Sequence, residues 1–545
     1  MKWTFVPLAA LFLNYAQGLD AQVTVSAAVN AASYLNASLP NGNLTQGGAF
    51  VVFGKGLGPA QTAVVNAFPL PNNLAGTSVS VTVGGTTVPC IMLYTLATQV
   101  AAVIPSSTPV GSGTMVVTYN GTNSAPLKIN VVAHDFGIFA LNQGGSGPGV
   151  LVNAITNVVN SSTASANPGD LVDIWGTGLG PVAGDEAGGA LPGNMLANLN
   201  LQVYVGTQLA QVMYAGRSGC CTGLDEIEIV VPAGVTGCAV PVYVVDGGVA
   251  SNFTTMSIAQ SGSSCPQSGE SDPSLLQIAQ KSGGLRVGAV SLGRVHAYTA
   301  TIDYQGDNAS TYFVKIPAAY LEQAVQLPAA NTCEVTQFPV GTSSAISGGA
   351  LTGLDTGAVT LSGPIGPYTL HPISSGEAEI AFSPSSAAPS PGLINDGTVL
   401  LPGSYTFTAA GGKDVGAFTA SIALPAKLNW TNRPTVPASI DRTQPLTINW
   451  TNGFAGALLQ ITGQSQVSQG VGAQFTCWAD AAAGTYTVPA AVLSALPHTY
   501  SNSGNAQGSL DVTQIYTGPV FTPPGVDYAT TSFSDGFDIG PVTYQ

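Results

Sequence analysis

Phe53-Gly54-Lys55-Gly56-Leu57-Gly58-Pro59 and Trp175-Gly176-Thr177-Gly178-Leu179-Gly180-Pro181 are one phrase written twice. Around them the match continues in order. Val29-Asn30-Ala31 recurs as Val152-Asn153-Ala154, Leu70-Pro71 as Leu191-Pro192, and Tyr94 as Tyr214. Gln99-Val100-Ala101-Ala102-Val103-Ile104-Pro105 recurs as Glu226-Ile227-Glu228-Ile229-Val230-Val231-Pro232, and Gly121 and Ser124 as Gly248 and Ser251. Landmarks kept in one order at near-constant spacing mark an internal repeat. The spacing grows between Tyr214 and Glu226, where the second copy carries a longer, Cys-containing loop.

Inside each copy the pattern is β. Val79–Val83 alternates and ends in Gly84-Gly85, and Leu201–Val205 ends in Gly206. Val116–Tyr119 runs into Asn120-Gly121, and Val242–Val245 into Asp246-Gly247. Alternation closed by such pairs is the signature of a hairpin. Short strands at this spacing predict an immunoglobulin-like sandwich in each copy. A glycine cluster after a strand also suits phosphate, but that needs a helix start directly after it. Loop-like sequence follows Pro59 and Pro181, so the glycines are expected in a turn or bulge with positive φ.

The ordered set Val29-Asn30-Ala31-Ala32-Ser33-Tyr34, Gly-x-Gly-Leu-Gly-Pro, Leu-Pro, Tyr and Val-Pro resembles the IPT/TIG class of immunoglobulin-like modules. More closely, it is similar to a repeat of secreted acidobacterial proteins. The resemblance covers residues 24–262 and attaches no common activity. The second half is loosely similar to C-terminal regions of such proteins.

Composition bounds the function classes. Of 545 residues only 7% are charged, and 12 Lys+Arg stand against 27 Asp+Glu. A chain of net charge −15 offers no basic face for nucleic acid. Scarce Glu, Lys and Arg also argue against long surface helices. Met1-Lys2-Trp3, the apolar Phe5–Leu13 and Ala16-Gln17-Gly18 read as a signal peptide over 1–18, cut after Gly18 or Ala21. No later segment reads as a transmembrane helix. A secreted or cell-surface location is therefore expected.

The fold expected is all-β: two tandem Ig-like (IPT/TIG-like) β-sandwiches, then a larger β-rich region containing a further Ig-like sandwich. The divisions read are 22–134 and 135–262 for the repeats, 263–273 for a linker, 274–415 for a β-rich domain, and 416–545 for a sandwich and tail. Helices are expected at Ser274–Gln280, Pro317–Gln326 and Ala490–Leu496. Asn429-Trp430-Thr431-Asn432 recurs as Asn449-Trp450-Thr451-Asn452, as two strands of one sandwich or as a short repeat. Leu446–Trp450 and Ala457–Gly463 read as a strand pair.

Seven cysteines in an exported chain point to disulfides with one thiol left over. Cys333 and Cys477 are the only two after the linker and are expected to pair. Cys90 has no partner in its own module and reads as a buried thiol. Strand direction in the second repeat brings Cys265 to the end where Cys238 begins, so those two are placed to bond. Cys220 and Cys221 lie at the opposite end, which leaves a bond between neighbours. Their Cα atoms are only ~3.8 Å apart across a trans peptide, which makes the ring tight. Arg217, Cys220, Cys221 and Asp225 are thus a candidate rigid, ligand-facing loop. The competing reading joins Cys220 or Cys221 to Cys238 or Cys265.

Catalytic signatures are sparse. The histidines, His134, His296, His371 and His498, are scattered, and no Gly-x-Ser-x-Gly elbow occurs. Glu226 and Glu228 share one strand face, with Asp225 on the other face or in the loop. They read as the solvated face opposite Ile227 and Ile229, or as an acid pair for sugar chemistry. No cofactor is expected beyond structural Ca²⁺, for which Asp303 with Asp307 and Asp535 with Asp538 are the turn-flanking candidates. Trp175 takes the place of Phe53 and is expected in the core. Trp430 and Trp450 are candidate stacking aromatics for a sugar ring, with core packing the competing role.

The function expected is non-enzymatic: tandem Ig-like domains for adhesion, binding or envelope structure, with an extracellular glycan or envelope component as partner. The alternative is a polysaccharide-active enzyme whose catalytic region lies in 275–545, with the repeats as accessory modules.

Overall fold

The computed structural model describes residues 22–184, 186–189, 193–265, 273–298, 303–318, 329–338, 351–382, 400–468, 470–502 and 505–545. The signal peptide, most of the 263–273 linker and most of the Pro317–Gln326 helix candidate lie outside them. The chain is all-β, built as immunoglobulin-like sandwiches.

In the first repeat one sheet runs Thr24–Asn30, Ala49–Lys55, Gln99–Val103, Ile91–Leu96, Ala63–Val64. The other runs Leu44–Thr45, Leu127–Val132, Gly111–Tyr119, Thr77–Val83, Thr86–Pro89. Phe50, Val52, Val79, Val81, Met115 and Val117 fill the space between. The period-2 alternation of Thr77–Val83 is what puts its valines inside. All four glycine-closed hairpins form: Thr77–Val83 with Thr86–Pro89, Gly111–Tyr119 with Thr122–Asn123, Leu201–Val205 with Gln208–Arg217, and Gly237–Asp246 with Val249–Ala250.

The second repeat closes differently. Its Gln208–Arg217 strand pairs with Leu201–Val205 through its first residues and with Asp225–Val230 through the rest. One strand therefore turns the corner between two layers around Ile174, Ile227, Val203 and Val242.

Residues 274–545 depart from the expected division. One sheet of ten strands runs through them, with Leu285–Tyr298 and Asp303–Ile316 near one end and Leu458–Ser468 and Val471–Asp480 near the other. Gly403–Ala409 pairs with Phe418–Leu424 along its whole length, so the 415/416 boundary cuts a hairpin. Two smaller sheets cover this long sheet, giving two cores. On the single strand Tyr528–Ile539, Ala529 and Phe533 enter one core and Phe537 enters the other.

Three further readings are corrected. Leu446–Thr451 does not pair with Leu458–Ser468. Ile448 and Ile461 bury into the same core from facing sheets, so the chain crosses the sandwich between them. Trp430 and Trp450 pair directly across their strands and are each 3% exposed, with their indole N–H groups donated to Asn432 Oδ1 and Ala481 O. They are core residues and offer no platform. The Ca²⁺ candidates flank no loop: Asp307 and Asp535 lie within long strands, buried, their Oδ2 atoms accepting from Leu400 N and Leu428 N.

The repeats do not hang free. Tyr243, Val245, Ala250 and Phe253 of the second repeat, with Leu35 and Leu39 of the first, join the core that holds Phe475 and Cys477. Tyr204, Tyr243 and Phe253 stack in series at 5.0 and 4.3 Å.

Cys333 and Cys477 are directly opposed in register and bonded, closing a sequence separation of 144. Cys333 belongs to Thr332–Phe338, which ends the long sheet and pairs only with Val471–Asp480. Replacing both cysteines by Ala is expected to lower stability by about 5 kcal/mol at most, the chain-entropy value for such a loop. Chemical denaturation of the full chain with and without the pair measures it.

Candidate functional site

The Asp225–Val230 strand has two unlike faces. Asp225, Ile227 and Ile229 point inward, and Glu226, Glu228 and Val230 outward. The inward face ends on a buried carboxylate, and the outward face carries acids.

The inward acid is the centre of the glycine phrase. Asp225 Oδ2 accepts from Gly178 N at 2.7 Å and Leu179 N at 2.8 Å. Its Oδ1 is paired with Arg217 Nη1, and Arg217 Nη2 donates to Gly180 O at 2.7 Å. Gly178 has φ +111 and packs against Asp135 O, so only glycine suits it. The turn thus cradles an anion supplied by the chain itself. Burial pushes the Asp225 carboxyl up, while Arg217 and the two backbone N–H groups pull it down. The first repeat has no such acid: there Leu57 N, the counterpart of Leu179 N, donates to Ala97 O.

Arg217 is 3% exposed and Asp225 0%, which corrects the reading of both as ligand-facing. A pair this deep is structural. It bolts the base of the 218–224 loop, whose Cys220 and Cys221 are exposed and bonded to each other. Cys238 is bonded to Cys265, and Cys90 is a buried free thiol.

The same cluster joins the repeats. Glu186 lies 3.9 Å from Arg217 and accepts from Ser106 N and Ser106 Oγ, both at 2.6 Å. Gly47 of the first repeat rests on Arg217, Ser106 and Glu186, where any side chain would collide. Sequence reasoning missed Glu186 and Ser106, and no local pattern flags either.

On the outward face, register puts Val152, Asp173, Glu228 and Tyr214 in one cross-strand row. Trp175 and Glu226 form the next row. Trp175 is half-buried on this face, and Val172 and Ile174 are its strand's core residues, so the expectation of a core Trp is corrected. Asp173 was missed, although its place between Val172 and Ile174 marks it as outward. Asp173 and Glu226 belong to adjacent rows of the same face, close enough for each to act on the other's titration. Burial, with Glu226 and Glu228 adding repulsion, raises the Asp173 carboxyl to about 6. Burial and Glu228 also raise Glu226. The Tyr214 hydroxyl donates to Arg217 O at 2.7 Å, which fixes its ring beside the acids. Among the described residues no group of three or more His, Cys, Asp or Glu could hold a metal ion.

No family model matches the chain, and no curated protein does. Among solved structures it is similar to domains 5–6 of the S-layer protein SbsC, at 13% identity and TM-score 0.17, covering 44% of this chain and 100% of that one. It is similar to the Bacteroides ovatus mixed-linkage glucan utilization locus SGBP-B, solved with a mixed-linkage heptasaccharide, at 11% identity and TM-score 0.14, over 88% and 90%. Gamma-CGTase from alkalophilic Bacillus clarkii is similar at 10% and 0.16, over 69% of this chain and 36% of that one. Likenesses this weak carry no argument, and the fold rests on the chain's own strands.

Asp173 yields a prediction with a definite sign. The unfolded residue titrates near ~3.9, the folded one at about 6. The folded chain therefore holds an extra proton between those values. That stabilisation is full below the lower value and is lost as pH rises through the upper. Asp173→Asn, which keeps a donor towards Glu226, is expected to stabilise the protein at pH 7.5 by on the order of 1 kcal/mol. The gain disappears near pH 4. Melting curves of both proteins across that range measure it.

Proposed function

We propose that this chain is a non-enzymatic secreted or cell-surface protein that binds an extracellular glycan or envelope component through its Ig-like domains. The contact surface in this reading is the outward face of the second repeat. The observation that carries it is the grouping of half-buried Trp175 and Tyr214 with half-buried Glu226 and Glu228 on that face, around the buried Asp173. Aromatic planes beside hydrogen-bonding carboxyls suit a sugar ring, with its apolar face and polar rim. The repeat's other layer is occupied by packing against the C-terminal sandwich, which leaves this face for a partner.

The N-terminal sequence and the paired cysteines support secretion. No helix among the described residues is long and apolar enough to cross a membrane.

The test is retention of the full chain on immobilised polysaccharides, with product analysis of the same incubations. Wild type is expected to bind at least one neutral or amino-substituted glycan and release no sugar. Trp175→Ala is expected to weaken binding roughly thirtyfold, the ~2 kcal/mol scale of an aromatic anchor, and Glu226→Gln less. Unchanged binding by a folded Trp175→Ala protein moves the site elsewhere. Released oligosaccharide overturns the non-enzymatic reading.

A further inference from the structure

Three disulfides are present among the described residues, and they differ in access. Cys333 and Cys477 are 2% and 0% exposed, and Cys238 and Cys265 are half-buried. Only Cys220–Cys221 has both residues exposed. An incoming thiolate must reach a sulfur along the S–S axis, so access selects this bond.

Directly after Cys221 the chain enters the joint between the repeats. Thr222 Oγ1 donates to Glu186 O at 2.7 Å, next to the Glu186 carboxylate that holds Ser106. Gly223 packs against Ala49 and Val103 of the first repeat. Gly223 O accepts from Thr177 Oγ1 at 2.5 Å, and Thr177 Oγ1 accepts from Ala49 N at 2.8 Å. The loop is short: Ser218 N donates to Leu224 O, and Leu224 N to Cys221 O. The ring formed by adjacent cysteines fixes the chain direction one residue before Thr222. Behind it, Arg217 and Asp225 hold the loop's two ends.

We propose that Cys220–Cys221 is a thiol–disulfide exchange site for an extracellular dithiol, and that opening it loosens the joint between the two repeats. One thiolate of the dithiol attacks an exposed sulfur and forms a mixed disulfide while the other cysteine leaves as thiolate. The second thiol of the reductant then displaces the bound cysteine. The reductant ends as a cyclic disulfide, two electrons pass to Cys220 and Cys221, and its two protons end on their sulfurs. The buried Arg217–Asp225 pair does not change, so the loop loosens while its anchors stay.

The test titrates the folded, full-length protein with dithiothreitol, traps thiols with a maleimide and maps peptides. Cys220 and Cys221 are expected to label together at reductant concentrations that leave the other two bonds intact. Hydrogen exchange on the same samples is expected to rise several-fold in peptides over 44–54 and 218–230, and to stay unchanged over the Asp173–Trp175 strand. A Cys220→Ser/Cys221→Ser protein is expected to show the raised exchange without reductant and no response to it. Two results overturn the proposal. One is labelling of Cys238 or Cys265 before Cys220 and Cys221. The other is opening of Cys220–Cys221 with no change in exchange at 44–54.

Discussion

A carboxylate with no water around it has to be surrounded by donors, and the Asp225 site is organised by that requirement. Two N–H groups come from the glycine turn and the third partner is Arg217, whose Nη2 reaches Gly180 O. Removing Arg217 leaves a buried charge uncompensated, at ~3–5 kcal/mol. The turn therefore cannot shift without the Gln208–Arg217 and Asp225–Val230 strands shifting too. Those two strands carry the outward Tyr214, Glu226 and Glu228, and between them hang Cys220 and Cys221. The exposed features of the second repeat are held in place by a group that solvent never meets.

The arrangement also explains why two copies of one phrase behave differently. In the first repeat Leu57 N, the counterpart of Leu179 N, finds the Ala97 carbonyl, which brings no charge and asks for no arginine. In the second, the acid brings Arg217, Arg217 lies by Glu186, and Glu186 reaches Ser106 in the first repeat. One substitution at the turn's partner position accompanies a polar contact between domains.

Local order was legible in the chain where two independent signals agreed. The four hairpins combined alternation with a glycine-closed turn, and the repeat stated each strand twice. The opposite orientation of Asp225 to Glu226 and Glu228 came from strand period alone. Glu186 and Ser106 were invisible because each is a single polar residue whose meaning comes from a contact 80 residues away. Trp430 and Trp450 misled as stacking candidates because polar neighbours on an alternating strand look the same whether the Trp faces solvent or core. The 415/416 boundary cuts a local hairpin, and the second half resists division because its long sheet also pairs strands far apart in sequence: Ser291 touches Ser532, separated by 241 residues.

That last contact bears on how the chain is made. Leu285–Tyr298 lies parallel to Tyr528–Ile539, 241 residues further along in register, and both are interior to the ten-stranded sheet. Such long-range parallel pairing is slow to form. During N-to-C emergence the two repeats can finish folding while the rest waits, its Leu285–Tyr298 strand without one neighbour until Tyr528–Ile539 arrives. A nascent chain of this kind presents an open β edge until that strand emerges. Its sparse charge gives that edge little protection against pairing with another copy, so correct folding depends on keeping the second half apart from its siblings until the partner strand appears.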